Sequence, residues 1–360
     1  MNNQITKIIS QNRNIEISSD KNLEFVIDKL NKNLIKTCFV LKNKKLIGSV
    51  TDGDIRRSIL KNISKKTPIK EIMNKKPMKI STSDKNFINK LSKYVAKKKI
   101  YIFPVVSKNN QYLGFVDYDR KYINVSSINN RYDVVIMAGG FGKRLRPLTK
   151  NKPKPLIKVN GIPIIHRIIS KIDNINVNKI YVTLHYKSKS IIKYLKKLNS
   201  KKIVTVIEKK PKDTIGSLFE LKKRLSKNIM LINSDIITNL DVNNLFNFHL
   251  KNKADLTMCA KKHETKVSFG VIKTNGNKIK SIVEKPILDN WINTGIYFLN
   301  KKSFKDSKKI KMNAVDFINS LISRKLKVLF YPMYETWFDI GTHEQLKLAD
   351  KYLKKTNENN

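Results

Sequence analysis

Residues 137–156 read MAGGFGKRLRPLTKNKPKPL. Three of the chain's twelve glycines, Gly139, Gly140 and Gly142, fall within four residues. Two arginines, four lysines and three prolines follow them. Glycine carries no Cβ, so the backbone from Ala138 through Lys143 can approach a polyanion such as a triphosphate closely. Arg144 offers a planar fork for two phosphate oxygens. Pro153 and Pro155 stiffen the chain on either side of Lys154 and fix where its ammonium points. Two common phosphate loops are excluded by spacing. A P-loop requires glycine at position 137, where Met137 stands, and Ser or Thr at position 144, where Arg144 stands. A dinucleotide fingerprint beginning at Gly140 requires a third glycine at position 145, which is Leu145.

The elements that must position this loop are legible around it. DVVIMA is a continuous apolar strand that ends where the glycines begin. IPIIHRIISKI reads as a helix, IYVTL as a strand and KSIIKYLKKL as a helix. KIVTVI, a helix from about Ile215 and the strand NIMLIN continue the alternation. Strands apolar on both faces and alternating with helices predict an α/β fold with a mostly parallel sheet. In such sheets ligands bind beyond the carboxyl ends of the strands, where the glycine loop falls. HEQLKLADKYLKK reads as a closing amphipathic helix.

A different pattern precedes it. Residues 1–125 hold two similar units of about 60 residues, each a helical stretch followed by two short strands and a charged helix start. The strands are CFVLKN and KLIGSVTD, then GDIRRSIL, in the first, and IFPVVSKN and QYLGFVDY, then DRKY, in the second. GSVTDGDIRRSIL resembles the CBS domains, which implies a CBS domain pair able to take an adenine nucleotide through Thr51 and Asp54. Asp54 can equally cap a helix. The second unit reads Gly114, Asp117 and Arg120 at the matching offsets, so it lacks the acid. Residues 126–131 are a polar linker, and residues 132–360 form the second domain.

Composition narrows the classes of partner. The chain has 360 residues, 40% of them hydrophobic, and a formal charge of +46. Only ten of its 74 basic residues are arginine, and the lysines are spread from end to end. A nucleic-acid binder concentrates charge on one face and uses Arg for base contacts, so no specific nucleic acid is expected. The apolar runs are too short to span a bilayer, and MNNQITKIIS lacks the apolar core of a secretory signal. Cys38 and Cys259 have neither disulfide nor zinc-knot spacing. A cytoplasmic protein is expected.

The stretch GGFGKRLRPLTKNKPKPL resembles the signature GGxGTRLxPLTxxxPKPL of the sugar-1-phosphate nucleotidyltransferases, with Lys143 in place of Thr. The likeness extends from about residue 132 to 350 through further motifs in family order. It implies a Rossmann-like nucleotidyltransferase domain preceded by the CBS domain pair. LINSD would place Asp235 on a catalytic Mg²⁺, and WFDIGT would place Asp339 as the second metal carboxylate. VEKP gives Glu284 for sugar hydroxyls and Lys285 for the sugar phosphate. NTGIY sets Asn293, Thr294 and Gly295 beside the sugar. IEKKPKDTIGSL is similar to the family's ExxPLGTAGxL, which puts Glu208 and Asp213 at the base and Gly216 at the sugar. Arg144, Lys154 and Lys285 are the catalytic cations, and Ala138, Gly139, Gly140, Gly142 and Lys143 the nucleotide-binding loop.

The implied reaction explains these residue types. A sugar 1-phosphate oxygen attacks the α-phosphate of a nucleoside triphosphate, and both reactants are polyanions. A pair of like charges at 4 Å costs about 4 kcal/mol at a protein surface, which cations and Mg²⁺ must offset. Phosphate is already nucleophilic at neutral pH, so His166, His185, His263 and His343 need no catalytic role. The Glu208 carboxylate only accepts hydrogen bonds, and guanine offers N1–H and its 2-amino group side by side. GTP is therefore the expected donor, with uridylyl or thymidylyl transfer as the alternative. The CBS pair ahead of the catalytic domain is similar to guanylyltransferases that use glucosamine 1-phosphate for legionaminic-acid-type surface sugars. Mannose and heptose 1-phosphates remain open, as does an inactive nucleotide-sensing regulator. A homo-oligomer is expected from the CBS resemblance.

Overall fold

The computed structural model describes residues 15–33, 35–84, 102–117, 131–173, 176–208, 213–304 and 312–357. The chain divides into two compact units, Met1–Ser126 and Ser127–Asn360.

In the first unit β1 (Glu16–Ser18), α1 (Leu23–Lys32), β2 (Thr37–Lys42), β3 (Lys45–Thr51) and α2 (Asp52–Leu60) form one repeat. In the second repeat β4 (Ile80–Ser81), β5 (Ile102–Val106) and β6 (Tyr112–Asp117) take the same arrangement. Each repeat builds a three-stranded sheet in which the first pair is parallel and the second antiparallel. Asn43 and Lys44, both at positive φ, make the two-residue turn between β2 and β3. The repeats interlock at their hairpin tips. Leu46 N donates to Asn110 O at 3.2 Å, Tyr112 N donates to Lys44 O at 2.9 Å, and Asn110 Nδ2 donates to Leu46 O at 2.8 Å. Ile15, Phe39, Leu46, Val106 and Phe115 close a joint core beneath them. The expected second charged helix start, DRKY with Arg120, and the polar linker up to residue 130 lie outside the described residues.

The second unit opens with β7 (Tyr132–Ala138), then α3 (Ile164–Ile172), β8 (Val177–Leu184), α4 (Ser188–Lys197), β9 (Ile203–Ile207), α5 (Asp213–Leu221) and β10 (Asn228–Asn233). It continues with β11 (Ile236–Thr238), α6 (Val242–Lys251), β12 (Leu256–Lys266), the hairpin β13 (Val271–Asn275) and β14 (Lys278–Val283), and β15 (Ile287–Asn300). α7 (Ala314–Ser323), β16 (Val328–Met333), β17 (Trp337–Asp339) and α8 (His343–Asn357) complete it. Seven strands form one sheet in the order β9-β8-β7-β10-β15-β12-β16. All run parallel except β15, which is antiparallel to both its neighbours.

Alternate residues of β7 serve opposite faces, as the two-residue period of a strand requires. Val134 and Ile136 join the core under α3, α4, α6 and α8, whereas Val135 joins the core under α5 and α7. α3 buries Ile164, Ile165, Ile168, Ile169 and Ile172, the i, i+4 stripe of an amphipathic helix. Full burial of each such side chain contributes about 1.5–3 kcal/mol. The pairing of β7 with β8 and β10 on either side sets where its carboxyl end delivers the glycine loop.

Candidate active site

Parallel pairing of β7 with β10 aligns Met137 with Asn233, so the glycine loop and Ser234–Asp235 leave the sheet side by side. Ser234 N donates to Met137 O at 3.2 Å across that exit. A cleft of about 520 Å³ opens here. Gly139, Gly140, Gly142, Lys143, Arg144, Lys154, Glu208 and Asp235 all line it, eight of the residues the sequence singles out. Ala138 is the buried last residue of β7.

The loop glycines have distinct physical reasons. Gly142 has φ +63°, and a Cβ there would stand 3.0 Å from Thr149 Cγ2 and 3.1 Å from Lys154 Cβ. Its carbonyl accepts from Thr149 Oγ1 at 2.8 Å, which locks the turn carrying Lys143 and Arg144. A Cβ on Gly140 would meet nothing within 4 Å. That position faces open space, and its backbone is approachable by a ligand.

Charge is concentrated where two strands meet. β11 and β17 pair antiparallel with Ile236 opposite Asp339, and Ile340 N donates to Asp235 O at 2.9 Å. This hairpin-like pairing sets Asp235 beside Asp339. Lys154 Nζ donates to Asp235 Oδ2 in an ion pair whose side chains are 12% and 21% exposed. The Asp339 carboxyl is pushed above the usual carboxylate range by burial first and by Asp235 second, while Lys154 and Arg144 pull it back. The Arg144 guanidinium lies against Gly341, with its Cζ, Nη1 and Nη2 each 3.4 Å from where a Cβ would sit.

Asp235 Oδ1 and Asp339 Oδ1 are both buried and accept no hydrogen bond. Buried carboxylate oxygens without donors are costly unless a cation completes them. Two hard, adjacent, orphaned oxygens fit a divalent cation of the Mg²⁺ type, which needs only one or two carboxylates when phosphates and water supply the rest. Among the described residues no group of three or more His, Cys, Asp or Glu gathers, here or elsewhere, so the protein's share of such a site would be this pair of aspartates.

Glu208, 6% exposed, lines the cleft beside Gly139. Its amide donates to Leu184 O at 2.7 Å, and its carbonyl accepts from His185 Nδ1 at 3.0 Å. Glu208 Oε2 lies 3.4 Å from where a Cβ on Gly139 would be, so this glycine keeps room beside the carboxylate. Asp213 begins α5, with Gly216 in its first turn.

The expected sugar residues divide. Gly295, at φ +73°, abuts Asn233 so tightly that a Cβ would come within 2.4 Å of Asn233 Nδ2. Asn293 spends Oδ1 on Gly295 N and Nδ2 on Tyr297 OH, at 2.9 and 2.7 Å. The Thr294 side chain is committed to the sheet: it is 1% exposed and its hydroxyl donates to Cys259 O at 2.9 Å. Glu284 and Lys285 do not line the cleft. Both are exposed in the turn between β14 and β15, where Lys285 takes φ +44° and Glu284 Oε2 packs against Gly270. In the first unit the Asp54 carboxylate caps α2, with Oδ2 accepting from Thr51 N and Thr51 Oγ1 at 2.8 and 2.7 Å and Oδ1 pairing with Arg57.

Sequence reasoning missed Phe141, Asn233, Asn313 and Gly341, all of which line the cleft. The glycine after DI is a readable sign of close backbone approach. Asn313 comes from the cap of α7, where its Oδ1 accepts from Asp316 N at 2.8 Å, and nothing local announces that it faces the cleft.

A mostly parallel sheet, a glycine loop after its first strand and a cleft setting Arg144 and Lys154 against two aspartates define a nucleotidyl-transfer scaffold. The chain belongs to the nucleotidyl transferase family, whose model matches residues 133–356, and a CBS domain model matches residues 9–61. Mannose-1-phosphate guanyltransferase of Yarrowia lipolytica is 36% identical over 176 residues, covering 46% of this chain and 48% of that protein. Bifunctional protein GlmU of Methanococcus aeolicus is 34% identical over 232 residues, covering 62% of this chain and 54% of that protein. The chain spans about half the length of these curated relatives. The crystal structure of HddC from Yersinia pseudotuberculosis, also solved complexed with GMP-PN, matches with a TM-score of 0.50 at 28% identity, over 62% of this chain and 99% of HddC. Among the described residues no helix is long and apolar enough to cross a membrane.

Proposed function

We propose that this chain transfers GMP from GTP to a sugar 1-phosphate, glucosamine 1-phosphate first, giving a GDP-sugar and pyrophosphate. The observation that carries the reading is the convergence of Arg144, Lys154, Asp235 and Asp339 at the end of the glycine loop. An oxygen of the sugar phosphate attacks the α-phosphorus, the bond from that phosphorus to the bridging oxygen breaks, and its electron pair leaves on pyrophosphate. The loop backbone and Lys143 hold the triphosphate, while Arg144 and Lys154 offset the repulsion between the two anions. Asp235 and Asp339 would hold Mg²⁺, which would add positive charge at the phosphates. Glu208 accepts from the guanine edge. The resemblance assigns the sugar and its phosphate to Glu284 and Lys285, with Gly216 and the backbone of Asn293–Gly295; Glu284 and Lys285 stand outside the lining of this cleft.

The names of the relatives favour a second acceptor, mannose 1-phosphate, for the same chemistry. Residues 1–125 are proposed as a regulatory unit for an adenine nucleotide through Thr51 and Asp54, in a cytoplasmic homo-oligomer. The test crosses GTP, UTP, dTTP, CTP and ATP with glucosamine, mannose, glucose and N-acetylglucosamine 1-phosphates, reading pyrophosphate release with Mg²⁺. Turnover confined to GTP with one sugar is expected. Silence across the grid in folded protein would overturn the reading in favour of an inactive nucleotide sensor.

A further inference from the structure

Phe141 is the odd residue of the cleft. It stands between Gly140 and Gly142, next to Lys143 and Arg144 on the cleft wall, and 44% of it is exposed. An apolar ring left in water beside fixed charges gains by being covered. Its orientation is held from behind. The His185 ring meets it edge-on at 5.8 Å with an interplanar angle of 84°, and the Tyr186 ring leans on it at 5.4 Å and 48°. Lys143 Nζ lies 5.9 Å from the ring centre, a cation–π distance that ties the ring to the phosphate-binding turn.

His185 also joins this ring to the base end of the cleft. Its Nδ1 donates to the Glu208 carbonyl at 3.0 Å, and its Cβ lies 3.5 Å from where a Cβ on Gly139 would stand. The exposed aromatic and the carboxylate are therefore two sides of one corner. A carboxylate reads the edge of a planar heterocycle, and an aromatic ring covers its face.

We infer that Phe141 is the stacking platform for the nucleotide base, backed by His185 and Tyr186, and that it favours a purine because a bicyclic base covers more of the ring. The inference rests on the nucleotidyl-transfer reading and assigns the residue that holds the base face.

The test measures equilibrium binding of GTP, UTP and inorganic tripolyphosphate, each with Mg²⁺, to the full-length protein and to Phe141→Ala and Phe141→Trp. Base stacking on an aromatic is worth about 10- to 100-fold in affinity. Phe141→Ala is expected to weaken GTP by that factor and UTP by less, leaving tripolyphosphate within about twofold. Phe141→Trp should restore GTP binding. In turnover the loss should fall on KM for GTP, with kcat at saturation nearly unchanged. Equal weakening of GTP and tripolyphosphate would mean that Phe141 only shapes the loop. Unchanged GTP affinity would place the base elsewhere. Either result overturns the inference while leaving nucleotidyl transfer standing. Wild-type protein that binds tripolyphosphate but no nucleotide would overturn both.

Discussion

The two candidate metal aspartates should have opposite effects on stability, and the cleft geometry supplies the sign of each. Asp235 is hydrogen-bonded to Lys154 in a pair mostly shielded from solvent. Asp235→Asn replaces that ammonium's hydrogen-bonded carboxylate by a neutral amide, leaving Asp339 as the nearby negative group. Hydrogen bonds to charged groups contribute about 1.5–3 kcal/mol, and a pair at 12% and 21% exposure falls toward the lower half. Burial first and Asp235 second disfavour the charged form of the Asp339 carboxyl, with only partial relief from Lys154 and Arg144. Like charges near 4 Å repel by about 4 kcal/mol at the effective dielectric of a protein, and two cations cancel most of this. Asp339→Asn should therefore stabilise the metal-free protein by about 1 kcal/mol at pH 7. For a unit of this size 1 kcal/mol moves Tm by about 2–4 °C. Thermal unfolding in EDTA should show Asp339→Asn a few degrees above wild type and Asp235→Asn a few degrees below. Both variants should lose Mg²⁺-dependent pyrophosphate release. A fall in Tm for Asp339→Asn matching that of Asp235→Asn would refute the electrostatic reasoning. Retained turnover in both would remove them as metal ligands.

Two further outcomes test separate parts of the molecule. His249 is 2% exposed, with Nδ1 at 2.9 Å from Thr257 Oγ1, and burial drives its pKa from 6.5 down to about 4 against the opposing charge of Asp255. The unfolded chain then binds more protons between these values, so stability is full above pH 6.5 and is lost as pH falls toward 4. The span corresponds to about 3 kcal/mol, and urea midpoints for wild type and His249→Gln should converge as the pH falls, the variant having the flatter slope. Glu208→Gln should lower the ratio of kcat/KM for GTP over UTP about 10- to 100-fold, since the lost charge weakens acceptance from two guanine donors. An unchanged ratio would mean that the base edge is read by another group.

What the sequence discloses about this protein depends on how local the cause is. The glycine loop is legible because absent side chains and rigid prolines act on their own backbone, wherever the loop sits. The parallel core of the sheet is legible because two-sided burial demands unbroken apolar runs, as in Tyr132–Ala138. The reversal of β15 is not: ILDNWINTGIYFLN carries no mark of direction, and the strand runs backwards because it leaves β14 through a short turn and pairs with β12 along ten register positions. Thr294 shows a side-chain direction that its motif does not disclose. Its motif suggested contact with a sugar, yet alternation along β15 turns its hydroxyl into the sheet, onto Cys259. Gly295 next to it owes its identity to Asn233, more than sixty residues away in sequence.

The same contrast explains why a net charge of +46 does not by itself describe the site. At the heart of the cleft Arg144 and Lys154 face Asp235 and Asp339, a cluster that is formally neutral. The lysines scattered over the surface raise the local concentration of any polyanion, salt-dependently and without selectivity. Selectivity is therefore expected from the neutral cluster, where the two orphaned carboxylate oxygens of Asp235 and Asp339 would hold a divalent cation beside Arg144 and Lys154. A divalent ion held there would make the cluster net positive, so triphosphate affinity is expected to depend on that ion more steeply than on the bulk charge of the chain.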